Sequence, residues 1–105
     1  RVLMAPTLHS RQLLTIICEA DIERQLVSDL YRIGVHGHTI TDARGHGKHG
    51  DRDALWPASA NIRIEVLCDE QLAGVIAADL QARYYERYGM VIFIADVQVL
   101  RPGKF

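Results

Sequence analysis

The sequence predicts an α+β domain whose elements run β-α-β-β-α-β, and three observations predict it. Four short runs are apolar or alternating and rich in β-formers. Two segments between them repeat apolar residues at helical intervals. The chain has 105 residues, 49% hydrophobic and 24% charged, which allows one folded domain and no second core.

The elements follow in order. Residues 1–9 carry no pattern and read as an N-terminal extension or a tag remnant, because the chain starts at Arg1 rather than Met. Gln12 to Cys18 is an apolar run, read as a buried strand. Asp21 is a plausible helix N-cap with Glu23 in the first turn. Ile22, Leu26, Leu30 and Ile33 then line one helical face, and Gly34 closes the helix. Val35 to Arg44, with β-branched Thr39, Ile40 and Thr41, is the second strand. From Asn61 to Cys68 the apolar positions Ile62, Ile64, Val66 and Cys68 alternate with Asn61, Arg63, Glu65 and Leu67, a third strand that is mostly polar on one side. Asp69 caps a second helix with Leu72, Ile76, Leu80 and Tyr84 at i+4 spacing and Gly89 as its stop. Val91 to Leu100 is the fourth strand. Short connections and handedness rules fold this order into the ferredoxin-like split β-α-β arrangement, a four-stranded antiparallel sheet with two helices on one face.

Two consequences follow. Cys18 and Cys68 end neighbouring antiparallel strands and so lie at opposite ends of the sheet, roughly 15–20 Å apart, too far for a disulfide. Leu13, Leu14, Ile16 and Ile17, with Val91 to Ala95, put apolar side chains on both faces of the first and fourth strands. The face without helices then needs a cover, most simply further copies of the chain.

Composition narrows the function. Lys and Arg number 12 against 13 Asp and Glu, a formal charge of −1, so the chain is no bulk polyanion binder and no nucleic-acid partner is expected. No apolar run approaches a membrane span, the N-terminus is no signal peptide, and the cysteines lack metal-ligand spacing. A cytoplasmic protein is expected.

The stretch from Thr41 to Ala60 is far longer than a hairpin needs and marks residues 42–60 as a functional loop. Gly45, Gly47 and Gly50 let successive N–H groups converge on an anion, and Arg44, Lys48 and Arg52 supply positive charge. A small phosphate or other oxyanion fits this chemistry. It is neither a Walker loop nor a dinucleotide fingerprint. The pairs His36/His38 and His46/His49 are candidate metal ligands, although no carboxylate completes a recognisable set. No nucleophile–base constellation assembles around Ser10, Ser28, Ser59 or either cysteine. Tyr84, Tyr85 and Tyr88 can stack on a base or pack at an interface, and Trp56 can anchor a partner or clasp the loop.

The string Gly34-Val-His-Gly37-His38-Thr39-Ile-Thr41-Asp-Ala-Arg44-Gly45-His46-Gly47 resembles the second-strand signature of the PII signal-transduction superfamily, and Asn61-Ile-Arg63-Ile-Glu65-Val resembles the strand returning from that family's T-loop. The resemblance spans Gln12 to about Leu100. The nitrogen-sensing members' B-loop, Thr-Gly-x-x-Gly-Asp-Gly-Lys, is replaced here by Tyr88-Gly89-Met90-Val91 without its Lys. The loop is also shorter and lacks their modified Tyr, which points away from ATP, 2-oxoglutarate and uridylylation. The chain is instead similar to the PII-like branch associated with carboxysomes and bicarbonate transport.

The resemblance implies a homotrimer that covers the apolar sheet face and holds ADP or AMP between subunits. It implies nucleotide contacts at Gly37, His38, Thr39, Thr41, Arg44, Gly45, His46, Gly47, Glu65, Gly89, Met90, Val91 and, allowing a short gap, Arg101. Arg44, Lys48 and Arg63 are the candidates for bicarbonate. Arg52 and Trp56 are the candidates for a partner such as a bicarbonate transporter or a carboxysome component. The expected function is a non-enzymatic sensor with no metal or resident cofactor. The alternatives are a weak nucleotide phosphohydrolase using Asp42 or His46 to orient water, and a metal-binding trimer using His36, His38, His46 and His49.

Overall fold

The structure, a computed structural model, describes residues 3–45 and 61–104. Its elements are β1 (His9–Glu19), a 3₁₀ turn (Ala20–Ile22), α1 (Glu23–Ile33), β2 (Thr39–Ala43), β3 (Asn61–Cys68), α2 (Glu70–Tyr84), β4 (Val91–Val99) and a terminal 3₁₀ turn (Pro102–Lys104). One antiparallel sheet in the order β2-β3-β1-β4 contains all four strands. The expected ferredoxin-like α+β architecture is therefore present.

The core lies between the sheet and the helices. Leu14, Ile16 and Cys18 from β1 and Ile62, Ile64, Val66 and Cys68 from β3 meet Leu26 and Leu30 of α1 and Ala73, Ile76, Leu80 and Tyr84 of α2. Strict alternation on β3 supplies one buried side and one half-buried side, which is how a strand serves a one-faced core. Antiparallel pairing sets Cys68 opposite Gln12 and Cys18 opposite Ile62, so the two free, buried thiols occupy opposite ends of the sheet as expected.

Helix ends account for several boundaries. Asp69 caps α2, accepting the Leu72 N–H at 2.7 Å. Gly34 is left-handed at φ 117° and donates to Tyr31 O, while Val35 N–H reaches Leu30 O at 2.9 Å. This is a Schellman closure, with Val35 buried behind it. Asp21, expected as the cap of α1, sits instead inside the 3₁₀ turn. The residue preceding α1 is Ile22, whose burial anchors the helix where a polar cap was expected. Gly89 does not end α2, because the helix stops at Tyr84 and a turn carries the chain to Gly89. β1 starts earlier than expected, at His9, which pairs with Val99. The last residue of the expected N-terminal extension thus belongs to the sheet.

The largest correction concerns the second strand. Pairing begins at Thr39, opposite Glu65, and not at Val35. Val35 is committed to the core by the helix closure. Gly37, weak in β propensity, leaves residues 36–38 free to diverge from β3. His36 and His38 are exposed loop residues and do not share a strand face.

On the face away from the helices, β1 places Leu13, Thr15 and Ile17 beside Phe93 and Val91 of β4. Val91 is 52% and Phe93 43% exposed on the single chain. Thr15 is fully buried among them, and its hydroxyl has no partner among the described residues.

Candidate functional site

The divergence of residues 35–38 from β3 opens a pocket of about 700 Å³. Gly34 to Thr39 form one wall, Glu65, Val66 and Leu67 the opposite one, and Leu13, Leu72 and Arg101 close its ends. The pocket combines an apolar slot from Leu13, Leu67 and Leu72 with His36, His38, Thr39, Glu65 and the Arg101 guanidinium. An apolar slot with few convergent polar groups and one cation suits a flat heterocycle carrying an anionic tail.

Gly37, His38, Thr39, Glu65 and Arg101, dispersed over 65 positions of sequence, therefore meet at one place. The C-terminal tail brings Arg101 there: Arg11 Nη2 donates to the Pro102 carbonyl at 2.9 Å, drawing the chain that leaves β4 back toward β1. Glu65 Oε2 also accepts from Arg63 Nε at 3.4 Å. Arg63 stands over the Phe93 ring at 5.9 Å, so its charge serves the open face.

The other candidates lie elsewhere. Thr41 sits farther along β2, opposite Arg63, and Arg44 and Gly45 follow the strand's end, exposed. β2 spans roughly 13 Å at the usual rise, so Arg44 leaves it at the end away from the pocket. Gly89, Met90 and Val91 open β4, where Val91 pairs with Ile17. They share the Arg44 end of the sheet but occupy its opposite edge, three strand spacings or roughly 14 Å away. The two groups of candidate residues thus lie at opposite ends of the sheet, the pocket beside residues 34–39 and Gly89–Val91 at the entry to β4.

The entry to β4 is tightly held. Buried Glu19 accepts the Gly89 N–H at 3.0 Å, and Tyr85 Oη accepts the Ile92 N–H at 3.1 Å. Met90 is buried in the core, so its side chain supports the segment and cannot line an open surface. Asp42, the carboxylate considered for orienting water, points to the sheet face opposite Thr39 and Thr41 and lines no part of the pocket. His46, Gly47, Lys48, His49, Arg52 and Trp56 lie outside the described residues. Among the described residues no three His, Cys, Asp or Glu side chains converge as a metal site.

Sequence reasoning missed His36, Leu13, Leu67 and Leu72 as pocket walls, and Glu19 and Arg11 as anchors. Leu67 did leave a signal: it is the apolar exception on the polar side of β3.

Comparison with known proteins decides the family. The model for "Nitrogen regulatory protein P-II" matches residues 11–104. The chain belongs to the P-II family. Among solved structures, a putative PII-like signaling protein from Thermus thermophilus is 35% identical, with 90% of this chain and 92% of that chain covered and a TM-score of 0.74. The PII-like protein CPII from Thiomonas intermedia, solved with ADP, AMP and bicarbonate, is 32% identical over 91% of this chain and 99% of that one, at a TM-score of 0.77. CPII bound to ADP and bicarbonate superposes at a TM-score of 0.80, again at 32% identity, covering 93% of this chain and 96% of that chain. The P-II chain described above is thus similar to PII-like relatives, in line with the altered B-loop read from its sequence.

Proposed function

We propose that this P-II chain is a non-enzymatic regulator that binds ADP or AMP, together with bicarbonate, in a cleft completed by a neighbouring copy. The observation that carries the reading is how far apart one chain holds the candidate residues. The pocket of Gly37, His38, Thr39, Glu65 and Arg101 lies at one end of the sheet and the Gly89–Val91 segment at the other, where copies packed around a ring would bring the pocket of one against the segment of the next. A trimer built through the open face would also cover Val91 and Phe93. The ligands of CPII support the choice of nucleotide and bicarbonate.

In this reading the slot of Leu13, Leu67 and Leu72 takes the adenine, and Arg101 faces the phosphates. β2 runs from Thr39 at the pocket toward Arg44 and Gly45, so in this reading ligand state reaches the segment carrying Arg52 and Trp56 along that strand. Arg44, Lys48 and Arg63 are the bicarbonate candidates. The output is contact with a partner in inorganic-carbon metabolism, such as a bicarbonate transporter or a carboxysome component.

Calorimetric titration of ADP with and without bicarbonate tests this. Saturable binding of one nucleotide per chain is expected, tightened by bicarbonate about 5-fold or more, a typical coupling between linked ligands. Absence of binding at millimolar nucleotide contradicts the function, and unchanged affinity with bicarbonate contradicts the carbon-sensing part alone.

A further inference from the structure

We infer that Arg11 is a positioning residue for the anion-binding end of the pocket, acting through Arg101. The inference rests on the reading of that pocket as the nucleotide site. After β4 ends at Val99, the chain has left the ladder: Leu100 is 64% exposed and Pro102 has no N–H with which to pair. Strand pairing therefore ends before Arg101 is reached. Arg11 supplies a hold on the tail beyond it. Its Nη1 donates to the Ser10 carbonyl at 2.7 Å and its Nη2 to the Pro102 carbonyl at 2.9 Å, so one guanidinium grips the strand with one arm and the tail with the other.

The geometry suits arginine. The planar fork holds two carbonyls at a fixed angle, whereas a lysine ammonium is a point charge on a flexible stem. Pro102 adds stiffness, because its ring fixes φ next to the gripped carbonyl. Arg101 is the residue immediately before that carbonyl, so fixing Pro102 O restricts where the Arg101 side chain begins. The Arg11 guanidinium itself does not line the pocket, which makes its action on a bound phosphate indirect. The entropy of ordering the tail is then met before ligand arrives, the usual benefit of preorganisation.

A double-mutant cycle on the full chain, read by calorimetry with ADP and with adenosine, tests the inference. Arg101→Ala is expected to weaken ADP roughly 10-fold or more, the loss of a charge-assisted hydrogen bond, and to leave adenosine unchanged. Arg11→Ala is expected to weaken ADP about 5-fold, spare adenosine, and add nothing in the Arg101→Ala background, since it acts through that residue. Amide exchange at Leu100, Arg101 and Gly103 should quicken in the Arg11 variant. Arg11→Met, which keeps the aliphatic stem, replaces Arg11→Ala if the latter does not fold. If Arg101→Ala leaves ADP affinity intact, the pocket reading fails. If Arg101→Ala weakens ADP but the Arg11 variants do not, or if their loss persists in the Arg101→Ala background or falls equally on adenosine, the role assigned to Arg11 is wrong.

Discussion

Cys18 shows what a buried thiol does in this sheet. Burial, with the nearby charges of Glu19 and Glu23, pushes its pKa up to about 12, and burial also raises Cys68. The folded state therefore holds the Cys18 proton more tightly than the unfolded chain does. The resulting stability is fully present below the ordinary thiol range near pH 8.5 and is lost as pH climbs from there through about 12. Denaturant midpoints should fall across that alkaline window, and Cys18→Ala should flatten the fall. A thiol reagent at pH 8 should label neither cysteine until the protein unfolds. Gly34 is the other residue whose identity is dictated locally. At φ 117° an added Cβ would meet no neighbouring atom, so the cost of Gly34→Ala is conformational strain alone, about 1–2 kcal/mol, readable in urea denaturation. That glycine was legible in the sequence because it follows a helical period; the failure of Asp21 as a cap was not, since a 3₁₀ turn and the burial of Ile22 override side-chain preference there.

At the scale of elements, β1 ties the end of the sheet where β4 begins to the end that holds the C-terminal tail. Glu19 at its end holds the Gly89 amide, and Arg11 near its start holds the Pro102 carbonyl. Glu19→Ala removes a buried carboxylate that accepts a backbone N–H; it should speed amide exchange at Gly89 and cost about 1–3 kcal/mol of stability. It should also weaken ADP if Gly89–Val91 contacts the nucleotide as proposed, which calorimetry of the folded variant reads. The strands, both helices and their order were legible because period-two and helical repeats directly encode which face is buried. The pocket was not, because it arises where a strand fails to pair. Val35 reads as continuous with the β-branched run of Thr39 to Thr41, but the helix closure and Gly37 send residues 35–38 away from β3. Arg101 carries no local signal in the sequence, since nothing nearby announces that a carbonyl one residue later is gripped from the other end of the chain.

For the whole molecule, edge and face matter more than the count of charges. A formal charge of −1 excludes bulk anion binding, yet Arg101, His36 and His38 meet at one pocket while Arg63 is turned to the open face. The apolar open face was readable from residues such as Leu13, Ile17 and Val91, because an exposed sheet side in a lone domain alternates to polar. How far the pocket lies from Gly89–Val91 was not readable until register fixed where each segment ends. The proposed function requires assembly, since it places the nucleotide in a cleft that two copies share. Electron density from crystals grown with ADP and bicarbonate tests this most directly. The proposed function predicts a nucleotide between copies, with its base in the slot of Leu13, Leu67 and Leu72 and its phosphates toward Arg101 of one copy, facing Gly89 to Val91 of the next. A nucleotide enclosed by a single copy, or a cleft left empty at saturating ADP, would contradict it.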